Sequence, residues 1–522
     1  MNRHHRKARL AALAASALAI GAAALGSASP ALAVTCEEAP GYASGSSLQK
    51  EAQLLSWLTA EGWGKHTLCE NEAKVKFLPT ITYSPTSSGQ GLNEFGNNEP
   101  VLNEEEDQTA FKSATGIKDA AGKVLDWYVG TDDPPSTGQL TNAMIASGDK
   151  KENFEEITLP VAQAPVALML SLPTGCVVAN GFPFNIDGKT LVQIWEAGMS
   201  ASSGEKKDPG GLAAQGGYAA NTWGALLTQL KYEKVVEEKP TEAGKFFDAT
   251  GAEGCEQTIT LQARSTDSGT SFAFKSYLYS ADNYLFYSTT SKKYSTNNVW
   301  LGYGSDAPSW PVAVKAESAK GSELAKKTAK NPGSIGYANT ADAVSASNGK
   351  FTGAVAESEF EASKKHQIVY ALLQDNESVV TKAEAEAIEV PAKIYADPVV
   401  EGTKVGNCAT DKAVGAGKKT PYSYTDSWLG VSTADPNVGT DDISGTYYPI
   451  CALTYDLVWK HYNVPNLFKD PAGAQIAATV KDLMSYITKA GQTDVKTNYY
   501  TGFPQVSGWT SHIEPAVEAI TG

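Results

Sequence analysis

The sequence predicts an α/β protein in which strands and helices alternate, so that sheets of mostly parallel strands carry helices on their faces. Three observations lead there. Apolar segments of strand character, such as residues 157–172 and 259–263, alternate with segments whose apolar residues recur at helical spacing. The turns between them are short and rich in Ser, Thr and Gly. Apolar residues make up 42% and charged residues 19% of 522 positions, enough to bury the core of two large domains or three ordinary ones.

Along the chain, the first 33 residues come first. Residues 1–9 are basic, 10–25 form an Ala/Leu/Ile run, and Ala31-Leu32-Ala33 supplies a small-x-small cut site. That order predicts a secretory signal peptide rather than a membrane span. Cys36 follows Thr35, Arg3 and Arg6 are not adjacent, and no later apolar run approaches 18 residues. The expectation is therefore an exported chain without a lipid anchor, twin-arginine signal or transmembrane helix.

Ser46-Ser47 stand at the N-cap position of a helix over 48–58, whose apolar residues share one face. Residues 75–83 read as a strand followed by the turn Ser87-Ser88-Gly89-Gln90-Gly91. Residues 124–129 read as a strand running into Gly130-Thr131-Asp132-Asp133-Pro134, with Pro at a helix start. Leu191, Ile194 and Trp195 are helix-spaced. After the strand at 259–263, Arg264 opens the polar turn Ser265-Thr266-Asp267-Ser268-Gly269-Thr270, and a helix with Phe272, Phe274, Tyr277 and Leu278 follows. Residues 201–221 and 341–440 read as insertions.

Six cysteines, none in a C-x-x-C pair, predict disulfides in an oxidising compartment. Of the 15 possible pairings, sequential pairing is preferred: Cys36–Cys69, Cys176–Cys255 and Cys408–Cys451.

Lys and Arg total 43 against 58 Asp and Glu, for a net charge of −15. This excludes a basic nucleic-acid footprint and a polybasic membrane patch. Six His, two of them in the leader, argue against a His-rich metal site, and no cofactor is expected. Ser47-Leu48-Gln49-Lys50 matches S-x-x-K but has no S-D-N or K-T-G partner, and G-x-S-x-G, Walker and G-x-G-x-x-G motifs are absent.

The chemistry lies in three turns of one design, at Ser46-Ser47, Ser88-Gly89-Gln90-Gly91 and Ser268-Gly269-Thr270. Each precedes an amphipathic helix and offers hydroxyls and first-turn N–H groups at its electropositive end, which suits an anion. Arg264 and Asp132 stand at strand ends, where open α/β sheets bind ligands. A guanidinium matches two oxygens of a tetrahedral oxyanion. An ionised carboxylate only accepts hydrogen bonds, so Asp132 beside an anion makes sense if that anion carries a proton.

These residues resemble the phosphate-binding proteins that feed the bacterial phosphate ABC transporter. The stretch 83–92 is similar to that family's first Gly/Ser loop, 128–134 to its aspartate loop, and 264–272 to its arginine/Ser-Gly-Thr loop. Asp187-Gly188-Lys189-Thr190-Leu191, 331–337 and Tyr448-Pro449-Ile450 are also similar, in family order. The chain departs from the pattern at Ser87, Gln90 and Leu48 and is longer than usual. The resemblance implies a two-lobed periplasmic-binding-protein-like fold, each lobe a mixed sheet flanked by helices, with the ligand cleft between lobes. Lobe one would comprise 34–160 and 441–522, and lobe two 161–440. The implied ligand contacts are Ser47, Leu48 (through its backbone), Ser88, Asp132, Arg264, Ser268, Gly269 and Thr270. The implied function is capture of inorganic phosphate by a monomeric, non-enzymatic protein, with a membrane ABC permease as partner. A phosphoester hydrolase on the same scaffold, or a surface interaction protein that lost the ligand, are the alternatives.

Overall fold

The structure, a computed structural model, describes residues 41–66, 69–70, 76–77, 81–97, 126–132, 156–174, 176, 184–186, 188–196, 222–224, 226–227, 230, 257–285, 310, 314–347, 360–361, 366–374, 395–400, 402–408, 447–462, 472–503 and 507–522. The leader, Cys36, Cys255, the Pro134 helix start and the insertion at 201–221 lie outside them.

A mixed sheet of ten strands forms the core. Its strands are β1 (Gly41–Gly45), β4 (Ile81–Ser84), β5 (Tyr128–Thr131), β6 (Glu156–Ser171), β8 (Thr260–Arg264), β9 (Lys315–Ser318), β10 (Ser334–Asn339), β11 (Phe360–Glu361), β12 (His366–Tyr370) and β15 (Cys451–Trp459). Two small sheets lie outside it. One joins β2 (Cys69–Glu70) to β3 (Lys76–Phe77); the other joins β7 (Asn185–Ile186), β13 (Leu372–Gln374) and β14 (Tyr395–Ala396). The helices that matter here are α1 (Ser88–Asn97), α2 (Gly188–Glu196), α3 (Gly269–Leu285), α4 (Gly321–Lys330), α5 (Thr340–Ala346), α6 (Ala472–Thr488) and α7 (Ser507–Glu518).

The main path runs β4-β1-β5-β15-β6-β10-β8-β9. Its outer pairs are parallel, β1 with β4 and β5, and β8 with β10 and β9. The central pairs are antiparallel: β15 with β5 and β6, and β6 with β10 and β12. The expectation of mostly parallel sheets therefore gives way to a mixed one. Parallel pairs arise where helices return the chain, while the long central strands pair directly with segments distant in sequence.

The 16-residue β6 joins two halves. Its first part pairs with β15 as far as Cys451↔Pro165, and its second part pairs with β10 from Asn339↔Val166 onward. Every residue of β6 is buried, which is why it reads as a long, mostly apolar stretch broken by Glu156, Thr158, Gln163 and Ser171. Its two prolines cannot donate to a ladder. Pro165 ends the β15 register, and Pro160 lies at the bulge where Thr454↔Ala162 is followed by Tyr455↔Pro160. Each sits where the ladder is already interrupted.

Other boundaries shift. The helix expected over 48–58 opens as a 3-10 turn at Ser47–Gln49 and continues as a π-helix at Ala52–Trp57, where Leu58 N–H reaches Gln53 C=O at 2.8 Å. The strand expected over 75–83 is two strands, β3 and β4, in different sheets. Of the strand expected over 124–129, Tyr128 and Val129 lie in β5, Trp127 N–H bonds the Tyr42 carbonyl at 2.7 Å, and 124–125 fall outside the described residues. Cys408–Cys451 forms as expected, with a sequence separation of 43. Cys176 is also disulfide-bonded.

Candidate functional site

The ends of β1, β4, β5 and β8 deliver their loops to one region. After β1 the chain turns at Gly45, whose φ of +121° suits glycine, and a Cβ there would lie 2.1 Å from the Gly130 carbonyl oxygen. This close approach lets Ser46 N–H bond that same carbonyl at 2.7 Å. The Ser46 hydroxyl accepts from the N–H groups of Leu48 (3.0 Å) and Gln49 (3.3 Å), capping the 3-10 turn. It also donates to the Asp132 carboxylate, 2.6 Å from each oxygen. The Leu48 N–H that the resemblance directed at ligand is thus held by Ser46.

α1 begins at Ser88, so the predicted turn is the first turn of the helix itself. The Ser88 hydroxyl donates to Asp132 Oδ2 at 2.9 Å and accepts from the Asp132 N–H at 3.1 Å. Asp132 is fully buried among these hydroxyls. Burial raises its pKa to about 6, against the lowering effect of bonds from Ser46, Ser88 and Thr454 and of the Arg264 charge. At neutral pH it is therefore mainly an ionised acceptor.

From the other half of the molecule comes the Arg264 loop. Gly269, the first residue of α3, abuts Asp132 and Ser88: a Cβ on it would lie 2.4 Å from Asp132 Cβ, 2.5 Å from Asp132 Oδ2 and 2.6 Å from Ser88 Oγ. Arg264, 1% exposed, donates from Nη1 to Ser268 (2.9 Å) and Ser47 (3.3 Å). Its Nη2 donates to Thr266 at 3.3 Å and to the Ala319 carbonyl. None of these partners is Asp267. The buried Nε has no hydrogen-bond partner among the described residues. Burial lowers the Arg264 pKa, opposed by Tyr337, Asp342 and Asp132. Thr270 is buried at the same helix start.

All the expected site residues thus lie around one buried region where the two halves meet. Supporting groups that the sequence did not point to lie behind them. Tyr337 accepts from the Arg264 N–H at 3.4 Å, shares a hydrogen bond of 2.6 Å with Ser271, and stacks on Phe274 at 4.6 Å. In the first half, Gln49 Nε2 donates to the Thr454 hydroxyl and to Tyr455 C=O (2.7 Å). Gln53 in turn donates to Gln49 at 2.9 Å and accepts from the Tyr128 hydroxyl at 2.8 Å. Ser46 was legible as a cap, but nothing in the sequence tied it to Asp132, 86 positions away. Among the described residues, no group of three or more His, Cys, Asp or Glu could hold a metal ion.

A family model described as "PBP superfamily domain" matches residues 37–385. Several solved structures are similar over most of the chain. A high affinity periplasmic phosphate-binding protein (PfluDING) bound with phosphate is 15% identical, covering 91% of this chain and 93% of that one, with a TM-score of 0.48. A phosphate-binding protein from Stenotrophomonas maltophilia is 12% identical, with coverages of 91% and 92% and a TM-score of 0.44. A putative phosphate ABC transporter substrate-binding protein with bound phosphate from Clostridium perfringens is 9% identical, with coverages of 89% and 100% and a TM-score of 0.36. No curated protein matches the sequence.

Proposed function

The chain belongs to the PBP superfamily, and from that premise we propose that it is an exported, monomeric solute-binding protein that captures inorganic phosphate between its two lobes. The observation that carries this reading is the meeting of Asp132 and Ser88 with Gly269, and of Ser47 with Arg264, at one buried point.

The chemistry favours phosphate over other oxyanions. Ionised Asp132 accepts a hydrogen bond from mono- or dihydrogen phosphate; sulfate at neutral pH has no proton to give and would set a buried carboxylate against an oxyanion. Arg264 binds the anion through donors that include its unpartnered Nε. The hydroxyls of Ser47, Ser88, Ser268 and Thr270 and the start of α3 at Gly269 complete the shell, while the Leu48 N–H stays on the Ser46 hydroxyl. The net charge of −15 does not oppose this, because surface charges are screened beyond about 8–10 Å at physiological salt. Lobe one comprises 34–160 and 441–522, and lobe two 161–440, with β6 passing between them. Anion bound to both lobes favours closure through its differential contacts. Export follows from residues 1–33, and delivery to a membrane permease follows from the resemblance. No helix among the described residues is long and apolar enough to cross a membrane.

Calorimetry with phosphate, sulfate and a phosphonate tests the proposal. Phosphate binds, no chromogenic phosphomonoester is turned over, and Arg264→Ala loses well over tenfold in phosphate affinity, since a charge-assisted bidentate contact is removed. Silence with every oxyanion would instead favour an interaction protein. Turnover abolished by Ser88→Ala or Ser268→Ala would favour a hydrolase.

A further inference from the structure

Ser46 is not among the predicted ligand contacts, yet its hydroxyl lies 2.6 Å from both Asp132 oxygens, closer than the 2.9 Å of Ser88. A hydroxyl has two acceptor sites and one proton. The N–H groups of Leu48 (3.0 Å) and Gln49 (3.3 Å) take up the acceptor sites, which leaves the proton directed at Asp132. A helix cap needs only an acceptor, so capping does not account for that donation. The backbone beneath is pinned on both sides: Ser46 N–H bonds the Gly130 carbonyl at 2.7 Å, and its own carbonyl accepts from the Tyr83 hydroxyl at 2.8 Å. Gly91 in α1 permits this close approach, since a Cβ there would lie 2.5 Å from Gly45 Cα. Ser46 and Asp132 follow the neighbouring strands β1 and β5, so their contact does not depend on a bound anion.

The other hydroxyls on Asp132 are divided between partners. Ser88 gives Asp132 its one proton and is itself a predicted ligand contact, so turning to an anion takes that proton away. Thr454 accepts from Gln49 Nε2 and shares its proton with the Thr131 carbonyl at 3.3 Å. Among the described residues, Asp132 is the one acceptor of the Ser46 proton. The charged and titratable groups around Asp132 come from every neighbouring element. Arg264 ends β8, Asp456 lies on β15, Tyr83 on β4, and the Tyr500 hydroxyl comes from the C-terminal region. Glu94 on α1 contacts Ser44 instead, and Lys275 on α3 lies over the Trp310 ring at 4.7 Å. Burial raises the Asp132 pKa, and of the groups that oppose it the Ser46 hydroxyl is the strongest, ahead of Ser88, Thr454 and the Arg264 charge.

We propose that Ser46 is a specificity-determining positioning residue: its hydroxyl holds the Asp132 carboxylate in its ionised, acceptor-only form, so that phosphate is preferred to sulfate down to a lower pH than the buried acid would sustain without it. This rests on the reading of the site as a phosphate site. Ser46 acts through Asp132 and does not touch the anion. A carboxylate that kept its proton would donate to sulfate and lose the means of rejecting it.

The test is competition calorimetry with inorganic phosphate and sulfate on the full chain over a pH series, for wild type, Ser46→Ala and Ser46→Thr. Comparison between the proteins cancels the titration of phosphate itself. In the wild type, sulfate begins to compete as pH falls through about 6. Removing a donor from an ionised carboxylate raises the pH at which it takes a proton. In Ser46→Ala the loss of preference should therefore move up by about one to two pH units, the range for a hydrogen bond to a charged group. Ser46→Thr keeps the hydroxyl and should follow the wild type. Should the alanine variant not fold, Ser46→Cys, whose thiol is a weak donor, should show the same upward displacement. A variant that binds phosphate more weakly at every pH, yet loses its preference at the wild-type pH, would make Ser46 a cap only; that overturns the inference and leaves the phosphate reading standing. Carbon NMR of the Asp132 carboxyl, assigned by its loss in Asp132→Asn, reads the same displacement in ligand-free protein. If phosphate does not bind, the phosphate reading fails and this titration decides on Ser46. A midpoint raised in Ser46→Ala supports its hold on Asp132, and coincident midpoints overturn it.

Discussion

Asp132 draws its properties from two hydroxyls and a glycine. Ser46 and Ser88 hold its carboxylate, and Gly269 presses the start of α3 against it. A methyl group at Gly269 would lie 2.4–2.6 Å from Asp132 Cβ, Asp132 Oδ2 and Ser88 Oγ, and neither side chain can shift without disturbing the hydrogen bond between them. Gly269→Ala should therefore weaken phosphate binding by tenfold or more in calorimetry, while thermal unfolding changes little because the lobes can open to relieve the clash. A different acid bears on stability. The Ser44 hydroxyl lies 2.7 Å from Asp126 Oδ2 and also contacts Glu94, yet has only one proton to give. One of the carboxyls must hold a proton, and burial raises Asp126 to about 7. Its stabilising effect is complete below the usual aspartate range and lost as pH rises through about 7. Denaturant unfolding should show the wild type losing up to about 1.4 kcal/mol per pH unit between the usual aspartate range and about 7, and nothing further above it, relative to Asp126→Asn; identical slopes in that window would refute the shared proton.

The elements differ in how far the residues alone announced them. β6 was legible because burial on both faces makes it mostly apolar, and α3 because aromatics follow a hydroxyl-rich turn. The segment after Ser46 was not, since its departure to a π-helix depends on Gln49 and Gln53 turning inward to Thr454, Tyr455 and Tyr128, partners hundreds of positions away or in another strand. Antiparallel pairing of β15 was hidden for the same reason: nothing local to residues 451–459 specifies β5 and β6 as neighbours. Cys408–Cys451 ties residues 402–408 to the first residue of β15, beside the point where β6 changes partner. Closing a loop of 43 residues is worth about 4 kcal/mol on the chain-entropy model. Cys408→Ser with Cys451→Ser should lose stability of that order in denaturant unfolding, with the phosphate site retained in the folded fraction.

At the scale of the molecule, one strand carries both halves of the sheet, and the loops at the ends of β1, β4, β5 and β8 converge between them. Most of that convergence was readable, because hydroxyl-glycine turns before helices and an arginine after a strand have local signatures. The proposed chemistry turns on the protonation of the ligand, and competition between phosphate and sulfate for wild type and Asp132→Asn examines it most directly. Above pH 7 the wild type should prefer phosphate by roughly a hundredfold or more, the scale of an unsatisfied buried charge. As pH falls through about 6, Asp132 gains a proton and sulfate should begin to compete. Asp132→Asn should admit sulfate at every pH, narrowing the preference at least tenfold. A wild type that binds sulfate as tightly as phosphate above pH 7, or an asparagine variant with undiminished preference, would contradict the role assigned to Asp132.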